Sequence, residues 1–310
     1  MPHLTILALV AALTGCASDD GRTLADRPVP ASASAPARSA VPPPTVPPPP
    51  LPDYPDADST GVPPGTRLTV VRGDQTISAD NLVITGKDFH GFVTVTGSNV
   101  TFRNCVFRGR ATDRNAALLD TERGRNTVVI ASEFVPAAPS ATVDDLWTRN
   151  TRIYRADISG GVDGVKANSH TLIQDSYIHD LTWFEHDPNQ NGGPTHNDGV
   201  QSWAGMRDVT LRHNTIDMST TKEANAALQT SAYDTRVLDN LLDGGACMLN
   251  FDHTVLGGPL TGIEVVGNRF GRHSAYDCPI LLSSRSIMTR NAGNVWADTG
   301  GPIPPPEQHD

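Results

Sequence analysis

Lys166 is the residue whose type and predicted neighbours most clearly suggest chemistry. When the repeats of the chain are aligned, it shares a row of outward-facing side chains with Asp120 and Asp144. Aspartate is a common ligand of calcium, and a cation bound beside a lysine lowers the pKa of that lysine, as a general base requires. The pattern therefore predicts Lys166 as a base and Asp120 and Asp144 as ligands of Ca²⁺. The alternative is a solvated row of charges that contributes little stability.

His196 and Asp198 form a second candidate pair, two residues apart in the sequence THNDGVQ at 195–201. A histidine oriented by a carboxylate can donate a proton to a leaving oxygen, so both residues are candidate catalytic groups. They follow an insertion at 179–195, and an insertion in one repeat of a stacked array usually lies on the binding face. His196 could instead bind a metal together with His186, or be structural, and Asp-Gly could be ordinary turn sequence.

Aromatic and amide side chains near these groups suggest a surface that binds sugars. A tryptophan packs against the apolar face of a pyranose ring, amides bond to hydroxyl groups, and arginine pairs with the carboxylate of an acidic sugar. Trp203 could alternatively pack under the insertion. The predicted substrate-binding residues are Gln201, Trp203, Gln229, Asn168 and Arg285.

A degenerate repeat of about two dozen residues must position all of these side chains. It alternates apolar and polar residues, as in TLIQDSYI at 171–178, VTLRHNTI at 209–216 and TRVLDNLL at 235–242. Alternation with a period of two indicates strands, and one such unit cannot bury its apolar face alone, so the repeats must stack. Asparagines at one position of successive repeats could bond from layer to layer. They are Asn214, Asn240, Asn268 and Asn294.

The second strand of each repeat supplies the row that contains Lys166. Side chains alternate between the two faces of a strand, and neighbouring repeats lie about 4.8 Å apart, so residues distant in sequence become neighbours. The predicted outward row is Asp120, Asp144, Lys166, Gln201, Gln229, Asn250 and Leu282.

The repeat with its asparagine ladder resembles the right-handed parallel β-helix of the pectate-lyase-like superfamily over residues 66–299. The resemblance implies an all-β fold, a single-domain right-handed parallel β-helix (a β-solenoid) of about eight coils. It also implies a carbohydrate-active protein. Fold alone does not select the activity, because lyases, hydrolases, epimerases and non-catalytic adhesins share this architecture.

Among these activities we expect a polysaccharide lyase that cleaves a uronate-containing glycan by β-elimination. Lys166 or His196 would take the proton from C5 of the sugar while Ca²⁺ neutralises the sugar carboxylate. A C5-epimerase would use nearly the same residues. Two further hypotheses compete with the lyase: a glycan-binding protein without turnover, and a glycoside hydrolase with paired carboxylates such as Asp144, Asp163 or Asp198.

The two ends of the chain suggest export and anchoring. Residues 1–15 are apolar, too short to span a bilayer, and stop before Cys16 in a pattern that resembles a bacterial lipoprotein signal peptide. Residues 16–65 then combine the lipidated cysteine with a Pro/Ala-rich linker, and residues 300–310 are expected to be a disordered tail. We therefore expect an extracytoplasmic protein that is secreted or lipid-anchored to the bacterial membrane or surface, with the anchor as its only membrane contact.

Charge and cysteine placement narrow the partners and the compartment. The 310-residue chain has a formal net charge of −10 at pH 7, which argues against nucleic acid because phosphate binding needs a basic surface. We expect a polysaccharide or oligosaccharide as partner and a monomeric protein. Cys247 and Cys278 precede equivalent strands of successive repeats, so an oxidising compartment would allow a disulfide between them.

Overall fold

The chain folds into a parallel β-solenoid, in which each coil contributes one strand to each of three sheets. The computed structural model describes residues 47–49, 51 and 53–309; the predicted signal peptide, Cys16 and most of the linker lie outside these residues. Within this part of the chain, no helix has the length and apolar character needed to cross a membrane. We name the three sheets A, B and C in the order in which the chain enters them.

The strands are numbered along the chain, so every third strand belongs to the same sheet. Sheet A contains β1 (Thr69–Arg72), β4 (Lys87–His90), β7 (Val106–Phe107), β10 (Glu133–Phe134), β13 (Asp157–Ser159), β16 (Tyr177–His179), β19 (Thr215–Met218), β22 (Leu241–Gly244), β25 (Arg269–Phe270) and β28 (Val295–Trp296). Sheet B contains β2 (Gln75–Ile77), β5 (Val93–Val95), β8 (Ala116–Asp120), β11 (Val143–Thr148), β14 (Val165–Ala167), β17 (Asp198–Ser202), β20 (Ala226–Thr230), β23 (Cys247–Phe251), β26 (Cys278–Ser283) and β29 (Glu307–His309). Sheet C contains β3 (Val83–Thr85), β6 (Thr101–Arg103), β9 (Thr127–Ile130), β12 (Thr151–Tyr154), β15 (Thr171–Gln174), β18 (Arg207–Arg212), β21 (Tyr233–Leu238), β24 (Ile263–Val266) and β27 (Met288–Ala292). Two short 3₁₀ turns cover Pro188–Gln190 and Thr254–Leu256.

The solenoid is longer than predicted. Among the described residues, sheets A and B have ten strands each and sheet C has nine, which makes nine complete coils and part of a tenth. The sequence predicted about eight coils. The expected disordered tail differs as well, because Glu307–His309 pairs with β26 and covers the edge of the last complete coil. Residues before 66 also contact the solenoid, since Tyr54 stacks on the ring of His213. The right-handed sense of the coil remains a prediction from the general preference of parallel crossovers.

The turn from sheet C to sheet A explains the period of the repeat. In successive coils one residue of this turn adopts a left-handed backbone conformation, and the next residue is buried; except at Ala156, its polar side chain can bond with the neighbouring coil. The left-handed residues are Asn104, Ala131, Arg155, Asp175, His213, Asp239, Gly267 and Gly293.

The predicted asparagine ladder follows these left-handed residues. Asn214 Nδ2 donates to Asn240 Oδ1 at 2.9 Å, and Asn240 Nδ2 donates to Asn268 Oδ1 at 2.9 Å. Asn268 Nδ2 continues to Asn294 Oδ1 at 3.0 Å. Each oxygen also accepts a backbone N–H from the ladder residue of the preceding coil, so every rung holds two coils together.

The core fills the inside of the coil with aligned side chains from successive turns. In sheet A, Phe89, Phe107 and Phe134 occupy paired inward positions and stack with ring centroids 5.1 and 4.7 Å apart. Apolar residues of all three sheets belong to this single core. The core therefore fixes the register of each coil on the next, and with it the order of the outward side chains.

The register of sheet B differs from the predicted alignment in two coils. Leu146, and not Val143, pairs with Val165, so Trp147 and not Asp144 stands beside Lys166 in the outward row. Val143 and Leu146 are both buried, which is why the apolar pattern left two choices. In the ninth coil the outward residue is Leu281 and Leu282 is buried. The observed row is Asp120, Trp147, Lys166, Gln201, Gln229, Asn250 and Leu281.

Removing a rung of the ladder should destabilise the solenoid. We expect Asn240→Ala to lower the free energy of unfolding by about 3 kcal/mol, because Asn214 and Asn268 lose buried hydrogen-bond partners. Urea unfolding followed by circular dichroism measures the loss. Gln308→Ala removes an exposed amide and serves as the control, with little change expected. Equal stabilities of the two variants would contradict a structural role for the ladder.

Candidate functional site

Lys166 lies between two aspartates, Asp144 from the preceding coil and Asp163 from its own coil. Its Nζ is 2.6 Å from Asp144 Oδ2 and 3.4 Å from Asp163 Oδ2. Both aspartates are buried, and the lysine side chain keeps 20% of its surface exposed. Asp144 also accepts hydrogen bonds from Trp147 Nε1 at 2.6 Å and from the backbone N–H of Asp163 at 3.3 Å.

Asp198 adds a third buried carboxyl group, one coil further on. Its backbone N–H donates to Asp163 Oδ1 at 2.8 Å, which fixes the two aspartates side by side. Its own side chain accepts from Gln201 Nε2 at 2.9 Å and from Asn225 Nδ2 at 2.8 Å. We call Asp144, Asp163, Lys166 and Asp198 the carboxylate cluster.

The glycines that follow Asp163 and Asp198 are required by packing between coils. A Cβ on Gly164 would lie 2.5 Å from the carbonyl oxygen of Gly199, and a Cβ on Gly199 would lie 2.5 Å from Ile216 Cγ2. The alternative that Asp-Gly is ordinary turn sequence is not supported by the backbone, since neither glycine has a positive φ and Gly199 lies inside β17. The Asp-Gly-Val sequence therefore sets the two aspartates at equivalent positions of adjacent coils.

One ammonium group cannot neutralise three neighbouring carboxylates, and the pKa values of Asp163 and Asp198 are raised. Burial, followed by the charge of Asp144, raises the pKa of Asp163 to about 7 despite the opposing effect of Lys166. Burial and the charge of Asp163 raise the pKa of Asp198 well above its usual range, although Asn225 and Gln201 favour its ionised form. The shorter of the two ion pairs of Lys166 is the one to Asp144. The protons that the raised pKa values retain in the cluster therefore lie on Asp163 and Asp198.

The electrostatics around Lys166 oppose its predicted role as a base, which needs the neutral amine. Burial alone lowers the pKa of Lys166, but the charges of Asp144 and Asp163 and the hydrogen bonds to them outweigh burial and raise it above its usual value. A lysine held in this way stays protonated at neutral pH. Sequence reasoning expected the opposite shift, because it placed a metal ion where the structure has the ammonium itself.

The carboxylate cluster opens into a polar cleft of about 530 Å³. Sequence reasoning had placed His196, Gln201, Trp203 and Gln229 at the site, and all four line this cleft. Trp203 is 53% exposed, as a platform for a ligand would be. His196 is exposed, and no hydrogen bond joins it to Asp198 in the described part of the chain, so Asp198 does not orient it.

Other predicted site residues lie elsewhere. Asn168 is fully buried and donates to Glu122 Oε1 at 2.7 Å, and Arg285 is exposed outside the cleft. Asp120 accepts from the backbone N–H of Glu122 and is not part of the lining, so it is not paired with Asp144 as a calcium site. Among the described residues, no group of three or more His, Cys, Asp or Glu side chains is placed to hold a metal ion.

The cysteines follow the alignment of the repeats. Cys247 and Cys278 occupy paired positions in β23 and β26 and are joined by a disulfide. Cys105 is buried and free. The disulfide cross-links two coils on the same sheet that carries the carboxylate cluster.

Sequence reasoning missed Trp147, Asn225, Asn115 and Asn189, all of which line the cleft. Trp147 was misplaced together with the register of β11. Asn225 immediately precedes β20, one position before the residue that pairs with Asp198, so extending the alignment of the repeats by that position could have found it. Asn115 and Asn189 are separated by a long stretch of chain and meet only through the path of the insertion, which no repeat pattern predicts.

Comparison with known proteins gives little further information. No family model matches the chain, and no curated protein matches it. Four solved chains match, among them a structure of QnrB1, described as a plasmid-mediated fluoroquinolone resistance protein. It is 12% identical, covers 71% of this chain and 91% of its own, and superposes with a TM-score of 0.23.

These results contradict the resemblance to the pectate-lyase-like superfamily. The comparison with solved structures returned a resistance protein in its place, and no family model supports the resemblance. The assignment to that superfamily is wrong. A TM-score this low carries no argument about function, so the description of the fold as a parallel β-solenoid rests on the three sheets themselves.

The raised pKa of Asp163 predicts that stability depends on pH. The unfolded chain ionises this carboxyl near its ordinary value of 3.8, whereas the folded chain keeps it protonated to about pH 7. Ionisation of Asp163 in the unfolded chain therefore lowers the free energy of unfolding progressively as the pH rises from about 4 to about 7, by roughly 2–4 kcal/mol in total. Above about pH 7 this group causes no further loss.

Urea unfolding of the wild type and of Asp163→Asn at pH 5, 6, 7 and 8 checks this expectation. The variant has no carboxyl to ionise at this position, so its stability should fall less over the same range. Parallel pH profiles for the two proteins would show that Asp163 has an ordinary pKa.

Proposed function

We propose that the cleft is the active site of a glycoside hydrolase in which Asp163 is the general acid and base. The observation that carries the proposal is a buried carboxyl group with a pKa of about 7, fixed at the floor of a polar cleft. A catalytic acid is most effective when its pKa lies near the working pH. Amide side chains and an exposed tryptophan in the same lining suit a sugar.

The hydrolytic step needs one proton donor and one carboxylate. Protonated Asp163 donates to the glycosidic oxygen as the bond from that oxygen to the anomeric carbon breaks. Asp144, held by Lys166 and Trp147, is the carboxylate that stabilises the developing positive charge. Water supplies the hydroxyl group to the anomeric carbon, and its proton restores Asp163. Asp198 is a positioning residue, because its backbone N–H holds Asp163.

The charge of the lining favours a glycan without carboxylate groups. Lys166 is the one lysine or arginine in the lining, and Asp144 and Asp163 already engage it. Asp187 adds a further acidic side chain. A polyuronate would bring more negative charge to this surface without an unpaired cation to receive it. This is the reason to prefer hydrolysis of a neutral glycan over the expected β-elimination of a uronate.

The polysaccharide lyase and the C5-epimerase remain competing hypotheses, and export with a lipid anchor remains a prediction. The disulfide between Cys247 and Cys278 is compatible with an oxidising compartment. A lyase would require Ca²⁺ or another cation to neutralise the substrate, and a base other than protonated Lys166. Both requirements can be tested together with hydrolysis.

The decisive assay compares neutral and acidic polysaccharides. The protein is incubated with β-glucan, xylan, mannan and galactan, and with alginate and polygalacturonate in the presence of Ca²⁺ or of a chelator. We expect new reducing ends from a neutral glycan, no absorbance of an unsaturated uronate, and a loss of at least about 100-fold in Asp163→Asn.

The control variant is Asp252→Asn, which changes an aspartate that follows β23 of the same sheet, outside the cleft, and should retain full activity. Unsaturated products from the acidic glycans would support the lyase instead. Unchanged hydrolysis in Asp163→Asn would contradict the assignment of the general acid.

A further inference from the structure

We propose that the cleft is closed at one end, so that it accepts the terminus of a glycan chain and the enzyme removes units from that end. The removal of units from the chain end rests on the proposed function. The preference for binding chain ends follows from the closed shape alone. Two sets of contacts carry it: those that wall off the side toward β8 and those that extend the cleft toward β26.

The wall begins with Trp147 in the outward row of sheet B. Its indole is held by Asp144 at 2.6 Å and stands next to Lys166. Asp120, the preceding member of the row, does not line the cleft. The floor of the cleft therefore stops at the tryptophan, directly beside the carboxylate cluster.

The insertion after β16 completes the wall. It passes back over two coils and meets the loop before β8, where Asn115 and Asn189 exchange side-chain hydrogen bonds of 3.0 and 3.1 Å. Asp187 caps the 3₁₀ turn that carries Asn189, accepting its backbone N–H at 2.8 Å. Asn115, Asp187 and Asn189 all belong to the lining.

The base of the insertion is anchored as firmly as its tip. Thr195 Oγ1 donates to Asn197 Oδ1 at 2.7 Å and accepts from the backbone N–H of Phe184 at 2.9 Å. Asn197 Nδ2 donates to the carbonyl oxygens of Val162 and Thr182 at 2.7 and 2.9 Å. The insertion is thus a built wall fixed at both ends.

In the opposite direction the cleft continues along an amide row. Gln201, Gln229 and Asn250 occupy paired positions in successive coils, about 4.8 Å apart. The side chains of Gln229 and Asn250 make no hydrogen bonds among the described residues, and their buried oxygens leave the amide nitrogens as the accessible part. Unpartnered amides at this spacing suit the hydroxyl groups of successive sugar units.

A second cavity of about 230 Å³ extends the row beyond Asn250. It shares Asn225 and Asn250 with the first cavity and adds Tyr276, which is 72% exposed, and Leu281. The glycan therefore leaves the carboxylate cluster over Gln229 and Asn250 toward Tyr276. One chain end remains against Trp147.

The test uses oligosaccharides and polymers of the same neutral glycans, with product length and binding measured separately. Products are followed from reducing-end-labelled oligomers of each glycan. Binding is followed by tryptophan fluorescence with Asp163→Asn, on intact polymer and on polymer shortened by partial acid hydrolysis. We expect stepwise shortening by a constant unit from the first time point, and binding per unit mass that rises in proportion to the number of chain ends.

Wall variants make the test specific. Asn115→Ala combined with Asn189→Ala should open the closed end, so that products of intermediate length appear and binding per unit mass depends less on chain ends. Asn99→Gly combined with Asn126→Gly removes an amide pair at another corner of the coil, keeps the positive φ of both residues, and should behave as wild type.

The possible outcomes distinguish the closed cleft from the hydrolase activity. Intermediate products from the wild type, or cleavage together with equal binding of intact and shortened polymer, would overturn the closed cleft and leave the hydrolase standing. Equal binding without cleavage would contradict both proposals. End-dependent binding without any cleavage would support the closed cleft and contradict the hydrolase. Neither cleavage nor binding of any glycan would contradict both.

Discussion

The parallel hydrogen-bond register between coils is the constraint on which the rest of this molecule depends. Each strand can pair with the next coil in only one alignment without turning its apolar residues outward. The inward stack of Phe89, Phe107 and Phe134 and the ladder through Asn240 fix that alignment. As a result, residues far apart in sequence meet at a fixed step, and Lys166 reaches carboxylates from two different coils.

The register also imposes a charge imbalance that the fold must accommodate. Asp144, Asp163 and Asp198 are buried around a single ammonium, and Asp145 beside them is fully buried with a pKa raised by burial. Low polarity strengthens the repulsion between carboxylates, so protonation of some of them is the state of lowest free energy. Such an arrangement costs stability, and in a folded protein it is typical of a catalytic site more than of a structural one.

Sequence reasoning succeeded where one residue type recurs at one position of the repeat. It failed where the register of a strand, or the charge around a side chain, depended on contacts with neighbouring coils. The ladder through Asn214 to Asn294 and the disulfide partners Cys247 and Cys278 follow from spacing alone. The register of β11 did not, because Val143 and Leu146 are both apolar and both buried. The electrostatics of Lys166 could not be read from the sequence, because they depend on the distances of its ammonium to both Asp144 and Asp163, which appear only in three dimensions.

We conclude that Asp163 keeps its proton near neutral pH because the carboxylate cluster has too few cations. The most direct measurement is a carbon-13 NMR titration of the protein labelled at aspartate side-chain carboxyl carbons, with the Asp163 signal assigned by its absence in Asp163→Asn. We expect a midpoint near pH 7 for this signal. A midpoint below about 5, within the ordinary range of aspartate, would contradict it.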